Sequence, residues 1–424
     1  MLKKFLDFHI HSRYSRACSK DLDLPNIARA CEQKGIDIVS TGDFTHPAWF
    51  KHIQENLVED SQGLYKLKNN TSPTRFILGT EISCIYKDKD VTRRVHLLIL
   101  APSIEAVAKF NQVLTDKGVN IRSDGRPIMG LSAKNILQIL LDIDPGFVLI
   151  PAHIWTPWFA VFGSKSGYDR LEDCFEELTP HIRAAETGLS SDPTMNHRLS
   201  ALDNITLLSN SDAHSLNNLG REANIFVFDN EKEITFNEIK RIIQTGDRKK
   251  FLYTVEFYPE EGKYHYDGHA TCKVCLSPAQ TKKNKFLCPK CKKNLTVGVL
   301  HRVEGLADRT EADIPVEKFI PHKYIVPLRE IVAKVFEVGV NSKKVFKESD
   351  LLISKIGNEF FILLDADVGE IEKQTTDKNI ASAIANMREG NVKVSPGYDG
   401  IFGSVEVNLP VVKFNKKQSR LFGA

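Results

Sequence analysis

The sequence predicts an α/β protein: a β/α barrel first, then a small cysteine-bound module, then an α-rich C-terminal region. Three observations lead there. Short apolar runs alternate with helical patterns through residues 1–246, and most of the runs end in an acid or a histidine. Two Cys-x-x-Cys pairs, Cys272/Cys275 and Cys288/Cys291, stand 12 residues apart. From about residue 295 the apolar residues recur at helical spacing. At 424 residues the chain is too long for one ordinary core, and the expected units are 1–246, 247–300 and 301–424.

The first strand is read over Phe5–Phe8, with Asp7, His9 and His11 alternating along it or just past its end. Two-residue spacing in extended chain puts all three on one side. A His-x-His pair leaving a strand starts a divalent-metal site, because neutral imidazole binds such ions readily. In LPNIARACEQKG, Pro25 suits a first helical turn and Gly35 ends the helix. The run IDIVS leads to TGDFTH, placing Asp43 and His46 in the next loop. RFILGTE delivers Glu81, and VHLLIL carries His96 near its start. Helical runs at 103–115 and 132–141 flank a polar loop, NIRSDGRP. FVLIPAH then supplies His153, IRAAE supplies Glu186, and TLLSNSDAH supplies Asp212 and His214. ANIFVF and the helix NEIKRIIQTG close the unit near residue 246. A doubly wound sheet gathers its functional residues at one crossover; here they follow nearly every strand, which favours a barrel. No Rossmann or P-loop glycine motif is present, which argues against a dinucleotide or nucleoside-triphosphate enzyme.

Four thiolates at Cys272, Cys275, Cys288 and Cys291 complete a tetrahedral shell, so one structural zinc is expected there, with His265 and His269 read as surface residues. Seven lysines and no acid lie between 272 and 293, and Lys282 and Lys283 among them are expected on DNA phosphates. LREIVAKVFEVG, SDLLISKIG, FFILLDAD and NIASAIANMREG are helical patterns, and a basic segment, KFNKKQSR, follows them. In PGYDGIFG three glycines permit a tight loop that displays Tyr398 and Phe402. The stretch IWTPWFAVFGSKSGY, directly after His153, offers Trp155, Trp158 and Tyr168 as further base-contacting rings.

Hydrophobic content of 42% and charged content of 26% describe a globular protein. Net charge is only +3, but residues 241–424 hold 30 Lys or Arg against 23 Asp or Glu, leaving the first part acid-rich. An acidic site beside a basic appendage suits a metalloenzyme acting on a polyanion. Without an 18-residue apolar run or a signal peptide, and with four cysteines scattered outside the module, a reducing, cytoplasmic setting is expected. A polyanion is the expected partner, with a sliding clamp a further candidate if that polyanion is DNA, and a membrane is not.

Collected, the candidate ligands are His9, His11, Asp43, Glu81, His96, His153, Asp212 and His214, backed by Asp7, His46 and Glu186. So many buried charges need neutralising ions. Two or three divalent ions fit: zinc, manganese or iron, or magnesium, although magnesium alone normally uses fewer imidazoles.

HIH at 9–11, TGD at 41–43, GTE at 79–81, the His96 strand, PAH at 151–153 and SDAH at 211–214 resemble the ordered motifs of the polymerase and histidinol phosphatase superfamily. That resemblance implies a distorted seven-stranded β/α barrel and phosphoester hydrolysis at an often trinuclear site. With the cysteine module and C-terminal region included, the whole chain is similar to a branch of DNA-repair endonucleases in that superfamily. By resemblance, His9, His11, Glu81 and Asp212 bind one ion, and Glu81 bridges to a second held by His96 and His153. Many members have histidine after the second-motif aspartate, where this chain has Asp43-Phe44, and another histidine where it has Ser15–Cys18. Either Asp43 and His214 suffice for a third ion, helped by His46 or Cys18, or that site is weak or vacant. Asp43, His214, Glu186 and Asp7 are the residues expected to orient ligands or move a proton, and Arg122 and Arg126 to contact phosphate. The implied reaction is incision by metal-activated water 5′ to deaminated bases (uracil, hypoxanthine, xanthine) and abasic sites. The alternatives are a small-molecule phosphoesterase, a polymerase-type exonuclease, or a non-catalytic nucleic-acid scaffold.

Overall fold

The structure is a computed structural model and describes residues 1–68 and 71–409. The first strand, Leu2–Asp7, lies parallel to Ile38–Ser40 and antiparallel to Ala223–Phe228. Ile38–Ser40 runs parallel to Arg75–Asp88, which pairs antiparallel with Val91–Ala101, which pairs antiparallel with Val148–Pro151. Ala184–Glu186 and Thr206–Leu208 form a separate parallel pair. The sheet is therefore mixed. Its long antiparallel hairpin turns at Lys89 and Asp90, both left-handed (φ 47° and 64°), as a two-residue turn between right-twisting strands requires. Neither residue is glycine or asparagine, so the sequence gives little sign of this turn.

One buried cluster draws Leu6, Ile38, Ile77, Leu98, Ile150, Ala184 and Leu208 from seven different strands. Past the strand ends the chain segments also meet. Ile10 bridges Ala213 in parallel, the Ile154 amide donates to Glu186 O (3.0 Å), and the Thr187 amide donates to Leu208 O (3.0 Å). The polar residues that follow these strands are thus carried to one mouth.

Helices flank the strands. Leu24–Lys34 starts at an Asp23 cap and stops at left-handed Gly35 (φ 90°). The sheet continues beyond residue 246, where Phe251–Glu256 pairs with Ala223–Phe228 and with His322–Tyr324. A hairpin, Asp267–His269 with Val274–Leu276, opens the cysteine module over a small core of Val274, Cys288 and Leu295. The C-terminal region is helical over Leu328–Phe336, Lys343–Lys355, Glu359–Leu364, Val368–Gln374 and Asn379–Arg388. It packs back on the first strand through Phe5 stacked on Phe360 (4.6 Å) and on the helix Leu24–Lys34 through the largely buried Lys34–Glu359 pair (2.9 Å). Among the described residues no helix is long and apolar enough to cross a membrane. The basic segment KFNKKQSR lies outside the described residues.

Candidate metal centre

Glu81 is the hub. It is fully buried, and its two oxygens face two different sets of donors. Oε1 lies 2.7 Å from His96 Nδ1 and 3.1 Å from His153 Nε2. Oε2 lies 3.4 Å from His11 Nε2 and 3.6 Å from His9 Nε2, and accepts from Arg126 Nη1 at 3.0 Å. Asp212 Oδ1 closes the first set, 3.1 Å from His11 Nε2 and 3.7 Å from His9 Nε2. The ligand atoms of His9, His11, Glu81 and Asp212 all fall within 4.8 Å of one another, as do those of Glu81, His96 and His153. The donor set fits divalent ions on its own evidence. His9 Nε2 is buried, has no hydrogen-bond partner, and points into the first set.

The rings are aimed from behind. His9 Nδ1–H donates to Glu186 (2.9 Å to Oε1), whose other oxygen accepts the His153 amide at 2.9 Å. His153 Nδ1 is held by Thr156 Oγ1 at 3.0 Å, leaving Nε2 toward Glu81. Such outer partners fix ring orientation and raise ligand basicity. Two residues expected as direct ligands stand differently. Asp43 sits behind His11: its Oδ1 is 3.1 Å from His11 Nδ1, while Oδ2 accepts from Ser12 N, Ser12 Oγ and Ser15 Oγ at 2.6–2.8 Å. With its lone pairs so engaged, Asp43 positions His11 and has little capacity left for an ion. His214 lies half-exposed at the mouth, ring to ring with His11 (4.5 Å), its Nδ1 donating to Asp212 O at 2.9 Å. Asp7 is a backbone staple, accepting from the amides of Ser211 (3.1 Å) and Gly220 (3.2 Å). His46 stacks on Tyr14 instead (4.3 Å). Among the described residues the donors of this centre form these two sets. His153, Asp43 and Asp212 all take left-handed backbone (φ 31°, 48° and 45°), conformations that cost energy and recur at working sites.

Charge follows the same geometry. Burial alone raises a carboxyl pKa, yet His96, Arg126 and His9 hold Glu81 well below the usual carboxylate range. Against burial, Glu186 and Glu81 lift His9 well above the ordinary imidazole value; Asp43 and Asp212 do the same for His11. Burial takes His96 down to about 4 and Asp7 up to about 6.

Arg126, unlike exposed Arg122, reaches into the centre. Of the aromatic candidates, Trp155 is core: 1% exposed, its indole N–H donating to Asn196 Oδ1 at 2.7 Å. Tyr168 is core too, sharing a hydrogen bond with Tyr86 (3.0 Å) beneath Arg93. Neither ring is available to DNA. The sequence offered only a run of aromatics, and alternating burial along it separates these two from half-buried Trp158, which meets Tyr264 edge-on at 5.8 Å. Phe159, from the same aromatic run, covers His96 (4.6 Å). In the glycine loop Phe402 is 51% exposed with Lys263 over its ring, and Tyr398 is half-buried. Lys282 and Lys283 are exposed at the end of a short helix, Pro278–Lys283.

The cysteine module departs from the expectation by one ligand. The donors that converge are His269, Cys272, Cys288 and Cys291, within 4.8 Å of one another. Cys275 is turned away, its Sγ 3.7 Å from Pro396 O. His265 is buried against Ser190 O (3.1 Å) and is not a surface residue.

Comparison with known proteins places the chain in context. A family profile described as the MJ0043 C-terminal domain matches residues 327–391. The uncharacterized protein YqxK of Bacillus subtilis (strain 168) is 28% identical over 422 residues, covering 96% of this chain and 100% of that one. The uncharacterized protein MJ0043 of Methanocaldococcus jannaschii is 31% identical over 294 residues, 68% of this chain but 36% of that protein. Among solved structures, the lesion-specific endonuclease PfuEndoQ from Pyrococcus furiosus is 30% identical, with a TM-score of 0.83 over 96% of each chain. Endonuclease Q in complex with a 27-mer duplex carrying an abasic lesion at the active site is 30% identical, with a TM-score of 0.84 over 96% of this chain and 97% of that one.

Proposed function

Because the chain belongs to the endonuclease Q family, we propose that it is a metal-dependent endonuclease that incises DNA 5′ to abasic sites and to deaminated bases. The observation that carries this reading is Glu81, whose two oxygens serve two adjacent donor sets at one mouth. His9, His11, Glu81 and Asp212 would hold one ion, and Glu81, His96 and His153 would hold another. When bound, such ions supply an activated water and neutralise charge on the phosphate under attack. Asp43 and Glu186 lock the His11 and His9 rings, and Asp7 staples the backbone beneath them. Arg126, which reaches the centre beside Glu81, is assigned to the substrate phosphate. His214, half-exposed beside Asp212, moves a proton at the mouth. The seven strands feeding one buried cluster support reading the first unit as the distorted barrel.

The lesion side is assigned to the path Phe159, Trp158, Tyr264 and the glycine loop with Tyr398 and Phe402, which leads away from His96 by successive contacts. An extruded nucleotide needs ring faces to stack on and backbone groups to read its edge. Residues 1–246 act as nuclease unit, 247–300 as metal-bound module and 301–424 as the DNA- and lesion-binding part, with Lys282, Lys283 and Arg122 as outer phosphate contacts. Free thiols at all eight cysteines support a cytoplasmic setting. Among the described residues nothing supports a sliding-clamp partner, and none is proposed.

The test uses duplexes carrying one abasic site, deoxyuridine, hypoxanthine or xanthine, or no lesion, with Mg²⁺, Mn²⁺ or Zn²⁺ and denaturing gels. One nick 5′ to each lesion is expected. A ladder from the ends, or phosphate release from small esters alone, overturns the reading; a shifted but uncut duplex points to a binding scaffold.

A further inference from the structure

We infer that the module's metal, a zinc by its donor set, is bound by three cysteines and one histidine, His269, Cys272, Cys288 and Cys291, and that Cys275 is left out to seat the glycine loop. This is independent of the nuclease reading.

Strand alternation is the first argument. In the hairpin, His269 pairs with Val274, and Gly268 pairs with Cys275. Neighbours along a strand face opposite ways. Val274 lies in the small core with Cys288 and Leu295, against which Cys272 and Leu276 also pack. His269, as Val274's cross-strand partner, shares that face. Gly268 and Cys275 share the other, where a side chain on Gly268 would collide with Tyr398 and where the Cys275 thiol meets Pro396 O at 3.7 Å.

The second argument is a match between two knuckles. His269-Ala-Thr-Cys272 is followed by Lys273 in left-handed backbone (φ 51°), and Cys288-Pro-Lys-Cys291 is followed by Lys292 in the same conformation (φ 61°). The ligand spacing is equal and the reversal falls at the same place. Cys272-Lys-Val-Cys275 has no such form, because its second cysteine is inside a strand. His269 Nδ1 is 3.8 Å from Cys291 Sγ, close enough for one tetrahedral ion to bind both.

Cys275 then belongs to another structure. The glycine loop is tied down beside it: the Tyr266 amide donates to Gly397 O (2.9 Å), the Gly400 amide to Lys263 O (3.0 Å), and the Ala270 amide to Asp399 Oδ2 (2.6 Å). Zinc fixes one face of the hairpin, and the loop rests on the other.

Full-length Cys275→Ser and His269→Ala are compared with the parent for zinc per chain after a mild chelator, and the parent is also loaded with Co²⁺ for its visible spectrum. Cys275→Ser should keep the parent's zinc and His269→Ala should lose one equivalent, with His269→Cys restoring it. The Co²⁺ spectrum should be that of three thiolates and one nitrogen. Zinc lost from Cys275→Ser, zinc kept by His269→Ala, or a four-thiolate Co²⁺ spectrum overturns the assignment; the spectrum needs no variant to fold.

Discussion

The Glu81 centre and the cysteine module are both candidate metal sites, and they repay a sequence reader in opposite ways. The centre's ligands are spread over two hundred residues with no compact motif, yet His9, His11, Glu81, His96, His153 and Asp212 converge. The module has the crisper signal, two Cys-x-x-Cys pairs, yet one of its cysteines points elsewhere. The difference lies in what sets direction. At the centre each ligand sits on or just beyond a strand, and those strands meet in one buried cluster, so strand direction delivers the ligands to one mouth. In the module the first pair straddles a turn and a strand, and a spacing rule written for turns misses the strand's alternation.

The strongest way to break this contrast is at Glu81. Glu81→Gln keeps the shape but removes the charge both donor sets share. Incision of abasic duplex should fall by at least about a thousandfold, with gel-shift affinity and melting temperature near the parent's. Cleavage within tenfold of the parent would show that the shared oxygen pair is not where the ions bind. Cys288→Ala should do the reverse, loosening the module while the Glu81 centre still binds metal, as limited proteolysis with Mn²⁺ titration would report.

A smaller effect is expected behind the centre. A side chain on Gly125 would overlap Asp43 Oδ2 and Ser15 Oγ, so Gly125→Ala pushes on the carboxylate that aims His11. Loss of about 10–100-fold in Mn²⁺ affinity or rate is expected. An unchanged Mn²⁺ isotherm would mean that Asp43 does not set the ring.

Much of the centre was legible because polar residues after apolar runs were the signal, and the sheet preserves that order. Asp43 was misjudged for a reason sequence cannot supply: whether a buried carboxylate binds metal or aims a ligand depends on who else donates to it, and Ser12 and Ser15 donate to this one. Trp155 and Tyr168 were misjudged because a run of rings does not say which face inward. The left-handed Lys89-Asp90 turn, and with it the antiparallel half of the sheet, lacks the glycine or asparagine that marks such turns.

On the module's side, the exposed Phe402 and half-buried Trp158 should act on lesion recognition and leave metal alone. Phe402→Ala or Trp158→Ala should weaken discrimination between abasic and intact duplex by roughly 1–3 kcal/mol, the scale of one stacked base, with zinc and Mn²⁺ content unchanged. Equal affinity ratios for parent and variants would remove these rings from the lesion surface.

The smallest expected effect separates carboxylates that nearby histidines hold low from carboxylates that burial raises. Glu81 and Asp212 are held low by the histidines around them, as burial alone would not allow. Glu222 and Glu256 are equally buried, but burial pushes both above the usual range, and for Glu222 the nearby Glu256 adds to the rise. Glu256 accepts from the Ser209 and Thr254 hydroxyls through one oxygen, while its other oxygen and both of Glu222's have no partner. Its folded value, about 8, lies above the unfolded one, so the folded state holds the proton more tightly. The resulting stability is fully present below the unfolded pKa and is lost as pH rises through about 8. Glu256→Gln cannot ionise and keeps an acceptor for both hydroxyls. Its stability, followed by thermal melts, should match the parent's near pH 5 and exceed it above pH 8 by an amount on the order of 1–2 kcal/mol once the pair relaxes. A gap that is constant across pH would mean Glu256 is already ionised in the folded protein, and that an unseen cation lies behind the centre as well as in it.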